Sequence, residues 1–162
     1  EQDSRRGAAA FLRVSSELLR KPGTVLCLTP QGPFVDARER PVRFKPGLGH
    51  LATHLEKACF LPVAVEYPFW EERTPEVLIR FGDPVMVEKG RTFWSADEWT
   101  EQFERGMAAA QDALARESQQ RQRETFEMVL GGRAGVGGVY DLFRSLAARL
   151  RGRQFKREHG DI

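Results

Sequence analysis

One turn in the chain carries residue types that could bind a ligand. The Thr29–Gly32 turn follows the apolar run Thr24–Leu28, which has the composition of a strand buried on both faces. Gln31 offers an amide donor and acceptor, and Gly32 allows close backbone approach to a ligand. Because open α/β sheets bind ligands at the carboxyl ends of their strands, the position of this turn favours a binding site.

A basic loop follows the turn and leads into a predicted helix. Residues 29–46 form a long connection, and loops of this length are often functional. The loop carries four basic side chains, Arg38, Arg40, Arg43 and Lys45. Lys45 precedes Gly47, where a helix is predicted to begin, so an ammonium group and unbonded helix N–H groups could together bind an anion.

Both stretches also have plainer interpretations. The Thr29–Gly32 turn could be an ordinary strand exit with a polar end, and each arginine of the loop could be a solvated surface charge. The carboxylates of residues 66–72 follow another strand, and we interpret them as a polar strand exit beside an aromatic cover.

The histidines do not form a recognisable metal or catalytic motif. His50 and His54 share a helix face, but Leu51 follows the first and no third ligand is apparent, so we predict no metal site. Cys27 and Cys59 are expected to be buried, reduced thiols of a cytosolic protein, with a disulfide as the less favoured alternative.

The predicted elements alternate between helix and strand, which indicates the α/β class. Helices are predicted at residues 4–21, 47–58 and 95–123, the last opened by the capping box Ser95-x-x-Glu98. Buried strands are predicted at 24–28 and 61–67, and two short strands within 76–88 are separated by Gly82-Asp83-Pro84. Few strands flank the two buried ones, so the sheet looks incomplete.

The C-terminal part has a different composition. Residues 131–138 form a glycine-rich linker, and residues 139–162 are predicted to form a basic amphipathic helix and tail. This last segment has six Lys/Arg against three Asp/Glu. The predicted organisation is therefore an α/β domain over residues 1–130, the linker, and the helix.

Overall composition excludes several functional classes. The chain has 162 residues, 41% hydrophobic and 30% charged, which fits one globular domain. Its net charge of +2 gives no general signal for nucleic-acid binding. No apolar run reaches the length of about 18 residues that a membrane-spanning helix requires.

Three blocks together resemble the glycerolipid and lysophospholipid acyltransferase family. They are the Thr29–Phe34 turn, the Arg43–Gly47 block, and Pro62-Val63 at the start of a strand. Their order and spacing cover roughly residues 26–65. In the turn, Pro30 and Gly32 match the family, whereas Gln31, Pro33 and Phe34 replace its usual Glu, Thr and Arg.

The resemblance implies an acyltransferase-like mixed sheet flanked by helices, and an enzyme of phospholipid biosynthesis. Such enzymes move a fatty acyl group from a coenzyme A or acyl carrier protein thioester to a lipid hydroxyl, without a bound cofactor. The residues implied to bind the acceptor are Pro30, Gln31, Gly32, Arg43, Lys45 and Gly47. The family's His-x4-Asp block is expected upstream of Glu1, so this portion by itself is expected to be inactive.

The C-terminal helix suggests a membrane partner. Its apolar stripe with arginine flanks suits an anionic lipid surface, and the residues expected to contact it are Leu142, Phe143, Leu146 and Arg149. The alternative is that this stripe packs on the domain. We therefore expect a cytoplasmic protein, peripheral on the inner face of the cell membrane. The rival functional hypothesis is a non-catalytic acyltransferase-like module that binds lipid.

Overall fold

A computed structural model describes residues 4–33, 35–71, 74–90 and 92–130 of the chain. Within these residues the elements in chain order are three helices, four short strands and a 3-10 turn. They are α1 Arg5–Leu19, α2 Gly47–His54, β1 Lys57–Phe60, β2 Val63–Glu66, β3 Leu78–Phe81, β4 Val85–Glu88, α3 Ala96–Gln120 and the turn Arg123–Thr125.

The described residues divide into two compact units. Those of 1–64 and 80–113 form the first unit, and those of 65–79 and 114–162 form the second. Strands pair in two separate sheets, β1 with β4 and β2 with β3. The β1–β4 pair is antiparallel, with Ala58 opposite Val87 and Phe60 opposite Val85. The described architecture is therefore a mixture of helices and small sheets, loosely α/β.

The core of the first unit lies between α3 and the β1–β4 sheet. Ala52, Val87, Trp99 and Phe103 are buried together, and Phe44, Leu48, Phe60 and Val85 pack around them. The Phe103 ring stacks on that of Phe60, with centroids 4.5 Å apart. Aromatic side chains bury large apolar areas, so this cluster supplies much of the hydrophobic stabilisation of the first unit.

Helix α2 approaches the start of α3 closely. Gly49 is buried, and a Cβ atom there would overlap the Ala96 carbonyl oxygen and the Thr100 hydroxyl. Only glycine permits this packing, which holds α2 and the loop before it against α3. Helix α1 begins with Ser4 as its N-cap, whose hydroxyl accepts from the Gly7 N–H at 3.0 Å.

The second unit is joined by contacts between its two chain segments. The Trp70 indole N–H donates to the Ser118 carbonyl oxygen at 3.1 Å, and its ring lies 6.1 Å from that of Phe126. Arg123 pairs with Glu76 at 2.8 Å. The predicted aromatic cover near residues 67–70 is therefore partly realised, because Trp70 is half-buried whereas Tyr67 and Phe69 are exposed.

Several predicted elements are confirmed. The helices at 4–21 and 95–123 correspond to α1 and α3, and the two strands within 76–88 are β3 and β4. The capping box also forms, since the Ser95 N–H donates to Glu98 at 2.7 Å and the Glu98 N–H donates to the Ser95 hydroxyl at 3.2 Å. These elements have strong periodicity or local signals, which explains the agreement.

The predicted buried strand at 24–28 is wrong. The segment has no regular secondary structure and belongs to neither sheet, and Val25 is 90% exposed. Within the described residues no hydrogen bond engages the backbone of Val25–Leu28. An apolar composition favours a strand, but a strand forms only where a second strand supplies the hydrogen bonds.

Two further predictions are corrected. The helix predicted over 47–58 ends at His54, and residues 57–60 form β1 instead. The buried strand predicted over 61–67 is shorter and forms β2, in which Val63 and Val65 are exposed. Cys27 and Cys59 are free, as expected, but exposed rather than buried. Cys59 lies in a strand whose residues alternate between more and less exposed positions, and it occupies one of the exposed positions.

No helix within the described ranges is both long and apolar enough to cross a membrane. The predicted glycine-rich linker and the basic helix, with Leu142, Phe143, Leu146 and Arg149, lie outside the described residues.

Candidate functional site

The structure brings the Thr29–Gly32 turn and Lys45 together. The Lys45 N–H donates to the Pro30 carbonyl oxygen at 2.9 Å, although 15 positions separate the two residues in the sequence. The turn itself is closed by the Gly32 N–H, which donates to the Thr29 carbonyl oxygen at 3.4 Å. The two stretches identified from the sequence therefore form one local site.

Gly32 is required at this turn for two reasons. Its φ is +85°, a left-handed conformation that side-chain-bearing residues rarely adopt. A Cβ atom at this position would also lie 2.7 Å from Lys45 Cε and 3.4 Å from Lys45 Nζ. The Lys45 side chain thus runs across the face of the glycine, and its ammonium group lies beside the turn.

A carboxylate on α3 holds the backbone just before Lys45. Glu104 accepts a hydrogen bond from the Phe44 N–H at 2.8 Å, and its other oxygen lies 3.7 Å from the Arg43 guanidinium. The Glu104 side chain is largely buried, whereas that of Arg43 is mostly exposed. Glu104 therefore fixes the position of residues 43–45 while Arg43 keeps solvent-facing donors.

A second carboxylate on α3 anchors the middle of the loop. Asp112 pairs with Arg40, which also donates to the carbonyl oxygens of Ala37 and Glu39 at 2.8 and 2.9 Å. Glu104 and Asp112 lie about two turns apart on the helix. The basic loop is consequently attached to α3 at two points by opposite charges.

Two further charges of the loop, Asp36 and Arg38, pair with each other. Arg38 donates to Asp36 from its backbone N–H at 2.9 Å and from its guanidinium at 3.0 and 3.2 Å. Hydrogen bonds from the Arg38 side chain and backbone lower the pKa of Asp36 from its usual value. This pair stabilises the loop conformation and leaves the anion-binding role to other cations.

A shallow pocket opens between the turn and the loop. Its volume is about 120 Å³, and it is lined by Gln31, Pro33, Val35, Glu39, Pro41 and Arg43. An amide, a carboxylate and a guanidinium provide donors and acceptors, and the prolines and valine provide apolar walls. Such a lining suits a small polar group attached to an apolar molecule.

Gly47 begins α2 but is less constrained than Gly32. A Cβ atom there would lie 3.5 Å from a Phe11 ring carbon of α1, which is ordinary contact. The preceding Pro46 provides no side-chain cap, and its carbonyl oxygen accepts from the His50 N–H at 3.0 Å. A glycine at this position, which resembles the acyltransferase family, therefore serves the packing of α2 against α1 more than the close approach of a ligand.

The structure thus brings Pro30, Gln31, Gly32, Arg43 and Lys45 to one site, with Gly47 at the adjoining helix start. Sequence reasoning missed Glu104 and Asp112, which position the site from α3. The sequence did contain a signal for them, because acidic residues on a long helix have the charge opposite to that of a loop rich in arginine.

No metal site is found beside these residues. Among the residues that the structure describes, no group of three His, Cys, Asp or Glu side chains could hold a metal ion. His54 Nδ1 lies 2.7 Å from the His50 carbonyl oxygen, so this nitrogen carries a proton and donates within α2. The two histidines are exposed on the helix surface.

No protein-family model, no curated protein and no solved structure matches this chain.

Proposed function

We propose that the chain is the acceptor-binding part of an acyltransferase. The reaction transfers a fatty acyl group from a coenzyme A or acyl carrier protein thioester to a hydroxyl of a glycerolipid or another lipid. The proposed fold is an acyltransferase-like mixed sheet flanked by helices, to which the described elements contribute one portion.

The observation that carries this proposal is the contact between Gly32 and Lys45. Two sequence blocks that resemble the acyltransferase family, separated along the chain, meet where a cation lies over a glycine turn. A lysine beside exposed backbone and the Gln31 amide can bind the polar head of an acceptor lipid. Arg43, held by Glu104, lines the shallow pocket together with Gln31 and supplies a second cation there.

The role of the site in catalysis is orientation. The acceptor hydroxyl must be held against the thioester carbonyl carbon, and such positioning lowers the barrier by reducing the entropy lost in the transition state. Lys45 and Gln31 would fix the head group, while the apolar chain of the acceptor extends away from the pocket. None of these residues is proposed to form a covalent intermediate.

The proton transfer is assigned to a His-x4-Asp block upstream of Glu1. The histidine removes the proton of the acceptor hydroxyl, and the oxygen attacks the thioester carbonyl carbon. An ester C–O bond forms, the C–S bond breaks, and the thiolate leaves and takes up the proton from the histidine. The aspartate orients the histidine.

The test is an acyl-transfer assay of the protein produced from its natural gene. Acyl-CoA and acyl carrier protein thioesters are supplied with a series of lipids that carry free hydroxyls. We expect transfer to at least one acceptor, and Lys45→Ala should raise the KM for that acceptor by about ten- to a hundredfold, because a charge-assisted hydrogen bond is lost.

The control is Lys89→Ala, which removes an exposed lysine outside both the Thr29–Gly32 turn and the basic loop. Its KM should equal that of the unmodified protein. Absence of transfer from both donors to every acceptor would contradict the proposal. Binding of the same lipids without transfer would then favour the non-catalytic lipid-binding module.

A further inference from the structure

One carboxylate of the basic loop is not neutralised by the protein. Among the described residues, no hydrogen bond or ion pair reaches the Glu39 side chain. The other acid of the loop, Asp36, pairs with Arg38. Because the Glu39 side chain is exposed, its negative charge is available to a ligand.

This carboxylate shares a pocket with a cation. Glu39 and Arg43 both line the shallow pocket of about 120 Å³ beside the Thr29–Gly32 turn. The Arg43 guanidinium is mostly exposed and lies 3.7 Å from Glu104, so it retains free donors. Within the described part of the chain, Glu39 and Arg43 do not pair with each other. The pocket therefore presents one negative and one positive group, and both can bind a ligand.

The two charges are held at separate points on α3. The Glu39 carbonyl oxygen accepts from the Arg40 guanidinium at 2.9 Å, and Arg40 pairs with Asp112 of α3. Arg43 is held by Glu104, which lies about two turns earlier on the same helix. Contacts with α3, rather than attraction between Glu39 and Arg43, thus set the separation of the two charges.

This arrangement discriminates between classes of head group. An anionic group bound at Arg43 also meets the Glu39 carboxylate, and repulsion between like charges weakens its binding. A group that carries an ammonium as well as an anion pairs with both side chains. The apolar walls formed by Pro33, Val35 and Pro41 suit the carbon atoms between its two charges.

We infer that this pocket binds a zwitterionic head group, with its ammonium at Glu39 and its phosphate or carboxylate at Arg43. The inference rests on the proposed function, because it takes the acceptor lipid as the ligand. Amino-alcohol phosphates and amino acids are head groups of this class. The acceptor is accordingly an aminolipid, and a lipid with a bare phosphate is disfavoured.

The test measures binding and does not depend on acyl transfer. The protein produced from its natural gene is titrated by calorimetry with a short-chain lysophosphatidylethanolamine, kept below its micelle concentration. The comparison ligand is the N-acetyl derivative of the same lipid, in which a neutral amide replaces the ammonium group. We expect the ethanolamine lipid to bind about three- to tenfold more tightly, the modest gain that an exposed ion pair provides.

A carboxylate replaces the phosphate in a second pair of ligands. An N-acyl lysine of the same chain length carries a carboxylate and an ammonium, and acetylation of its side chain removes the ammonium charge. Tighter binding of the unacetylated form supports the inference for a carboxylate anion, as the first pair does for a phosphate. The pair with the lower Kd identifies the anion.

The Glu39→Gln variant should change the two affinities in opposite directions. Binding of the ethanolamine lipid should weaken about three- to tenfold, because its ammonium loses a partner. Binding of the N-acetyl derivative should strengthen, because its phosphate no longer meets a carboxylate. Glu17→Gln is the matched control and should change neither affinity, since Glu17 is exposed on α1 outside the loop. A purely structural role of Glu39 would move both affinities in the same direction.

Two results would overturn the inference. One is equal binding of the charged and acetylated forms in both pairs, and the other is binding of none of these ligands. Acyl transfer is assayed separately, so the two proposals can fail independently. Tighter binding of a zwitterionic lipid without any transfer would support the zwitterion assignment and contradict the acyltransferase.

Discussion

At the residue scale, the candidate site depends on one glycine and one lysine. Gly32 has a left-handed backbone and lies under the Lys45 side chain. Neither property can be inferred from residue type alone, because glycine also occurs at positions with no nearby side chain. Gly90 is such a position: its φ is also +85°, and nothing lies within 4 Å of where its Cβ would be.

This pair of glycines provides a controlled prediction. Gly32→Ala and Gly90→Ala should each lower the free energy of unfolding by about 1–2 kcal/mol, because alanine is strained in the left-handed region. Only Gly32→Ala should also move Lys45, since the new methyl group overlaps its side chain. Urea unfolding measures the first effect, and NMR chemical shifts of Lys45 measure the second. Equal shifts in both variants would mean that Gly32 does not contact Lys45 in solution.

The hydrogen bond from the Phe44 N–H to Glu104 leads to a second prediction at the residue scale. Glu104→Ala should lower the free energy of unfolding by about 1–3 kcal/mol, because the partly buried Phe44 N–H loses its acceptor. Glu104→Gln keeps an oxygen at this position and should cost less. Urea unfolding of both variants tests this order. If the two variants are equally stable, the hydrogen bond to Phe44 contributes little.

At the element scale, local signals account for the helices. The Ser95–Glu98 capping box is encoded within four residues, and the buried face of α3 follows from the spacing of Trp99, Phe103 and Ala110. Strands are different, because their hydrogen bonds come from distant parts of the chain. Residues 57–60 therefore form β1 by pairing with β4, although their sequence continued a helical pattern.

The capping box predicts a specific pH dependence. Hydrogen bonds from the Ser95 backbone and hydroxyl lower the pKa of Glu98 below its usual value of 4.5. Since the folded-state pKa is the lower one, the ionised carboxylate stabilises the fold above the unfolded-state pKa, and this stabilisation disappears as pH falls through the folded-state pKa. Glu98→Gln should therefore be less stable than the unmodified chain at neutral pH and should approach it in acid.

The measurement is urea unfolding at a series of pH values from neutral to strongly acidic. Ser95→Ala removes the hydroxyl donor and should reduce the same pH-dependent difference, because the carboxylate then has fewer partners. A difference between Glu98→Gln and the unmodified chain that stays constant with pH would show that the Glu98 charge has no part in the cap.

At the scale of the whole molecule, the basic C-terminal segment predicts membrane binding. Arg149→Glu should weaken flotation of the full chain with anionic vesicles about tenfold or more. Each arginine near an anionic surface contributes about 1 kcal/mol to the free energy of membrane binding, and reversing its charge roughly doubles that loss. Arg13→Glu on the exposed surface of α1 is the matched control. Equal flotation of both variants, or none by the unmodified chain, would favour the alternative prediction from the sequence, in which the apolar stripe of this segment packs on the domain.

The sequence by itself determined the local parts of this protein. It placed α1, α3, the capping box, the break between β3 and β4, and the two blocks that form the candidate site, because each depends on residues close together in the chain. Only the tertiary structure decided that Gly32 lies against Lys45 and that Glu104 and Asp112 hold the basic loop. It also decided that the backbone of Val25–Leu28 has no hydrogen-bond partner among the described residues. Those outcomes depend on which distant groups meet, and no local pattern specifies a partner.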